Sequence, residues 1–123
     1  MRNAAAILLS VTLGTIGATT SRFDWANYDS NRLQRLSGVV HKAESIEGVV
    51  VLGVKTETDR SPSTMWVVPL GTVDELRRAG LALEFKLGLP VEIVAWQHRS
   101  SNREARATEI ALNHSDPVVL TTK

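Results

Sequence analysis

Hydrophobic and polar positions divide the chain into blocks of different period. From Ala4 to Ala18 there is no charge, and Ala, Ile, Leu, Val and Gly are interrupted only by Ser10, Thr12 and Thr15. Arg2 precedes this block, and Thr19-Thr20-Ser21 and the first acid, Asp24, follow it. A positive start, an apolar stretch and then small residues are the layout of a secretory signal peptide, with cleavage after Ala18 or after Ser21. The run is shorter than the roughly 20 apolar residues that span a bilayer. A retained N-terminal membrane anchor is the competing reading.

Residues 22–32 carry no sustained period and are rich in Asp, Asn and Ser. They read as an irregular lead-in whose Phe23, Trp25 and Tyr28 cover part of the core. Beyond them the pattern turns to strands. The first is expected at 33–43, interrupted by Gly38 where a bulge or bend fits. A turn at 44–48 leads to Val49-Val50-Val51-Leu52-Gly53-Val54-Lys55-Thr56, a β-branched run too short for a globular helix. A polar loop at 57–63 precedes a third strand at 64–70, where Pro69 belongs at a strand end or on an edge because it has no N–H to donate.

The period then changes to that of a helix. Thr72 and Glu75 form a capping box, Asp74 and Glu75 suit the N-terminal end, Arg77 and Arg78 the C-terminal end, and Gly80 the position just past it. Val73, Leu76 and Ala79 give one narrow apolar face. Residues 81–90 alternate up to Leu87 and then break at Gly88-Leu89-Pro90, so they are ambiguous. A fourth strand is expected at 91–98, a hairpin loop at 99–103 and a fifth strand at 104–112, for which helix competes because Glu, Ala and Arg favour it. A tail follows, with room for a short extra strand at 118–120. The resulting organisation is a signal peptide at 1–21, a lead-in at 22–32, one domain at 33–113 and a tail at 114–123.

Three strands, a short helix and two strands (β-β-β-α-β-β) is the order of the OB-fold, a five-stranded, partly open antiparallel barrel. Another small antiparallel sheet with one helix packed on it is the runner-up. Leu36-Ser37-Gly38-Val39-Val40, the helix from Asp74 to Leu81, Leu87-Gly88-Leu89-Pro90-Val91-Glu92-Ile93 and Arg106-Ala107-Thr108-Glu109-Ile110 together resemble a family of small exported bacterial proteins classed as a domain of unknown function. The resemblance runs from Asp24 to Asn113 and implies an OB-like β-barrel. Members of that family carry histidines before a Tyr-Asp pair and an Asn-Pro-His turn in the first hairpin. Tyr28-Asp29 is kept here, but Phe23-Asp24-Trp25 and Glu44-Ser45-Ile46-Glu47 stand in those two places, so no histidine ligand set carries over.

Composition narrows the chemistry. Among 123 residues, 43% are hydrophobic and 22% charged, which fits one globular domain. The chain has no cysteine, which excludes disulfides, thiolate metal sites, thiol nucleophiles and a lipidated N-terminal Cys. Net charge is +1, from 14 basic and 13 acidic residues. Cleavage removes Arg2 and no acid, so the mature chain is formally neutral and nothing suggests a specific attraction for nucleic acid. His41, His98 and His114 share no ligand spacing, and no nucleophile elbow or glycine-rich phosphate loop is present. No catalysis, metal or cofactor is expected.

One constellation remains. Arg99, Arg103 and Arg106 flank Ser100-Ser101-Asn102, and in an OB-fold that loop borders the binding face. Trp66 and Trp96 on the third and fourth strands offer stacking surface beside the arginines. The plainer alternative is that both tryptophans fill the barrel and the arginines are solvated. The chain therefore reads as a non-catalytic, exported (periplasmic or secreted) binding module for a small molecule or oligomer, or as an envelope protein-interaction domain without a small ligand.

Overall fold

A computed structural model describes residues 22–58 and 61–120. The apolar block assigned to export, residues 1–21, lies outside them.

The domain is mainly β, with one short helix. Six strands are β1 (Tyr28–Ile46), β2 (Val49–Thr58), β3 (Ser61–Thr72), β4 (Pro90–His98), β5 (Ala105–Leu112) and β6 (Val118–Val119), and α1 (Val73–Ala79) follows β3. They form one antiparallel sheet in the order β3-β2-β1-β4-β5-β6. β1 is the spine: its 19 residues pair with β4 along the first part and β2 along the second. Gly38 is paired to both, to Thr56 and to Val91. A Cβ at Gly38 would lie 2.2 Å from the Lys55 carbonyl oxygen. The glycine therefore permits close strand approach. The bulge expected there sits instead between Val40 and Lys42. β1 also begins within the segment read as a lead-in, because Tyr28 and Asp29 pair with His98 and Gln97.

The expectation of a five-stranded, partly open barrel is met in part: the structure is mainly β with one short helix, but among the described residues the sheet has six strands and no continuous ladder joins its ends. β3 and β5 meet at one isolated parallel bridge, Val67 with Glu104, made by the Val67 N–H donating to the Arg103 carbonyl at 2.8 Å. Further along β5, Glu109 and Ile110 are paired with Val119 and Val118 of β6. β6 covers only that end of the β5 edge, and the β3 contact lies at the other end, beside Glu104.

The local signals worked where they were complete. Glu47 and Gly48, at φ of 52° and 80°, turn β1 into β2 as a two-residue hairpin with both φ positive requires. In α1 the Thr72 hydroxyl accepts from the Glu75 N–H at 3.1 Å, and the Glu75 carboxylate accepts from the Thr72 N–H at 2.8 Å. Gly80 closes the helix at φ 86°. Leu76 is buried into the core with Leu36, Val40, Leu52, Val54, Val68, Leu70, Val91 and Ile93. The ambiguous segment 81–86 forms no strand. Its alternation is real, with Leu81 buried and Leu83 and Phe85 half-buried on the core. The fifth strand forms despite its alanines, since Ala105 and Ala107 are fully buried, where small side chains let the layers approach.

Candidate functional site

The lead-in is a strap across the curled sheet. Phe23 is buried against Val49 and Val51 of β2, while its carbonyl accepts a hydrogen bond from the Arg106 guanidinium of β5. β2 and β5 are not neighbours in the sheet, so one residue can touch both only because the sheet curls. Trp25, in a 3-10 turn (Trp25–Asn27), meets Trp96 edge-on at 4.8 Å and lies under the Arg106 guanidinium at 4.2 Å. Arg99 Nε donates to the Ala26 carbonyl at 3.0 Å, and the Arg99 N–H to that of Asn27 at 2.9 Å.

Loop 99–104 is fixed from two sides. Gln97, buried on the core face of β4, sends its side-chain amide to the carbonyls of Ser101 (2.7 Å), Asn102 (3.3 Å) and Glu104 (3.3 Å). His98, on the opposite face, accepts at Nδ1 from the N–H groups of Ser100 and Ser101, both at 3.0 Å. Its ring stands edge-on to Tyr28 at 5.0 Å.

Tyr28 and Glu104 form a buried polar pair. The Tyr28 hydroxyl donates to Glu104 Oε2 at 2.5 Å, and the two residues are 1% and 9% exposed. Burial pushes the Tyr28 hydroxyl well above the ordinary tyrosine value, and the hydrogen bond to Glu104 and its negative charge push the same way. Burial also lowers the pKa of Arg106, opposed in part by Glu75, Tyr28 and Asp24. Arg106 Nε is buried with no hydrogen-bond partner among the described residues; planar contact with Trp25 stands in its place.

The five residues expected to bind do not gather at one place. Trp66 is half-buried on the core face of β3, with Val68 and Leu70. Trp96 is a direct cross-strand partner of Arg106 and faces the other way, under the strap. Arg106 is buried and tied to Phe23 and Trp25. Arg99 is exposed and anchors the strap through Ala26, and Arg103 is exposed in the loop beside Val67. The structure thus joins Trp96 and Arg106 in a packing cluster, and brings Trp66 and Arg103 to one corner through Val67. The plainer alternative fails for Trp96, which lies outside the core, and describes Trp66 only in part.

Sequence reasoning passed over Gln97 and Glu104 and weighed His98 only as a metal ligand. Each belongs to an ordinary strand pattern, and its partners are carbonyls and amides that no sequence displays. The lone tyrosine was the available signal, since a buried hydroxyl needs a partner. An open groove of about 260 Å³ on the outer face of β1, β4 and β5 is lined by Arg35, Ser37, Glu92, Glu109 and Pro117. It presents no nucleophile–base pair. Among the described residues no group of three His, Cys, Asp or Glu could hold a metal ion, and no helix is long and apolar enough to cross a membrane.

No protein-family model matches the chain, and no curated protein matches it.

Proposed function

We propose that the chain is a non-catalytic, exported binding module of OB-like architecture that takes an extended segment of a partner protein along the edge of β3, beside loop 99–104. The support is one main-chain contact, from the Val67 N–H to the Arg103 carbonyl. It sets the loop against the edge of β3. It also fixes which way the β3 main chain points. Peptide groups of alternate residues face the same side of a strand, so the N–H and C=O of Met65, like those of Val67, point away from β2. At Met65 no described strand receives them. Pro69 has the same parity, so its missing N–H breaks no bond to β2.

An open strand edge is a template for β-strand addition. From Ser61 to Thr72 the strand carries no charged residue, and Met65 and Val67 are 40% and 38% exposed. Arg103 stands at the closed end of this edge. The partner segment that fits is uncharged over about four residues with an acid toward Arg103. A photo-crosslinker at Ser63, in cells exporting the chain, reads this out. One discrete protein adduct is expected in wild type and in Met65→Leu, and none in Met65→Pro, which removes the outward N–H without removing a bond to β2. Equal adducts in Met65→Pro overturn strand addition, and an intact Met1 on the exported protein overturns cleavage. A small molecule or oligomer is the second reading, favoured by the half-exposed indole of Trp66; quenching of its fluorescence by oligosaccharide with no protein adduct would select it.

A further inference from the structure

We infer that His98 is an acid-operated latch within loop 99–104, so that the Ser100-Ser101 turn between Arg99 and Arg103 is held at neutral pH and loosened when the imidazole is protonated. This rests on the reading of that loop as the border of the binding edge, and it names what regulates it.

Two backbone N–H groups, those of Ser100 and Ser101, converge on His98 Nδ1 at 3.0 Å each. Both are donors with no freedom to reverse, so Nδ1 must hold a lone pair and the proton of the neutral ring must be on Nε2. A proton added at Nδ1 turns the acceptor into a donor facing the two N–H groups, and the acceptor it then has at hand is the Ser100 hydroxyl, 3.4 Å away. Both bonds are lost together. Imidazole is the side chain that gains a proton between neutral and mildly acidic pH.

Tyr28 of β1 stands edge-on to the His98 ring at 5.0 Å, and the Tyr28 hydroxyl is held by Glu104. The main chain of His98 is fixed too, since its N–H donates to the Glu104 carbonyl at 2.9 Å. The titratable and charged groups around the ring are Tyr28 from β1, Glu104 ahead of β5, and Arg99 in the loop. Tyr28 stays neutral, and Arg99 is drawn off to the Ala26 carbonyl. Gln97 keeps its own bonds to the Ser101 and Asn102 carbonyls at any pH. Protonation therefore frees the Ser100 and Ser101 N–H groups, while Arg99 stays tied to Ala26 and Asn27 and the hairpin stays in register.

Nuclear magnetic resonance on the free protein, with no partner added, separates this inference from the binding proposal. At neutral pH the His98 ring is expected as the Nε2–H tautomer; the Nδ1–H tautomer overturns the latch. On acidification the Ser100 and Ser101 amides should shift with the same midpoint as the His98 ring, and their exchange protection should fall about tenfold, as loss of a net hydrogen bond implies. Amides that ignore the His98 midpoint overturn it. His98→Asn supplies an amide oxygen near the position of Nδ1, so protection should persist into acid. His98→Ala should lack protection at every pH while the rest of the sheet stays protected. Wild-type behaviour in both variants overturns the latch.

Discussion

The alkaline titration of Tyr28 tests the buried polar pair directly. Tyr28 is the chain's single tyrosine, so phenolate absorbance reports one group. Its hydroxyl is removed from water and donates at 2.5 Å to Glu104, so ionisation would bury a second negative charge against the first. All three causes act in one direction: burial first, then the hydrogen bond, then the charge of Glu104. In the unfolded chain the hydroxyl releases its proton near the ordinary value of 10.0. Between that pH and its own higher value the folded state holds a proton that the unfolded state has lost. The pair's contribution to stability is therefore complete below about pH 10 and declines as pH rises, by up to about 1.4 kcal/mol per pH unit for one proton. One and a half units above the ordinary value, the loss is about 2 kcal/mol, a large share of what a small domain has. Absorbance and circular dichroism followed together should show phenolate appearing only as the sheet unfolds. Urea unfolding at stepped alkaline pH should show the slope in wild type and not in Tyr28→Phe, which controls for the lysines. Phenolate forming near pH 10 with the sheet intact would refute the reasoning.

Three further outcomes follow from named contacts. Gly38→Ala drives a methyl group into the Lys55 carbonyl where β1 pairs with both neighbours, and chemical denaturation should show a loss of about 1–3 kcal/mol. Thr72→Ala removes the acceptor for the Glu75 N–H; about 1 kcal/mol should be lost, while Thr72→Ser keeps most of it. Arg106→Lys keeps the charge but loses the planar contact with Trp25, so the strap should loosen, with increased solvent exposure of Trp25 and Trp96 read by acrylamide quenching of their fluorescence; unchanged quenching would remove Arg106 as its anchor.

The candidate site was legible in part. Arg99, Arg103 and Trp66 stand out in sequence because charge and aromatic surface are residue properties. Which of them share a corner is not, because it depends on a single donor, the Val67 N–H. Trp96 and Arg106 carried the same sequence signal as Trp66 and Arg103. They proved to be partners across β4 and β5, closed over by a strap that aperiodic sequence left shapeless.

By itself the sequence determined whatever depends on neighbours along the chain. The capping box, the Gly80 stop and the strand character of β2 and β4 are set by local sterics and period, and they formed, while the turn expected over 44–48 narrowed to Glu47-Gly48 because Glu44 to Ile46 pair with β2. Only the tertiary structure decided what depends on distant segments. β6 paired with one end of the β5 edge, and β3 met β5 at one bridge by the other end. The alternating 81–86 segment found no partner strand. Gln97, His98, Tyr28 and Glu104 became a pinned loop and a buried pair because their partners are main-chain groups and side chains brought close by folding. Hydrogen-bond geometry across the sheet is a property of register, and register is fixed only when all strands have been placed.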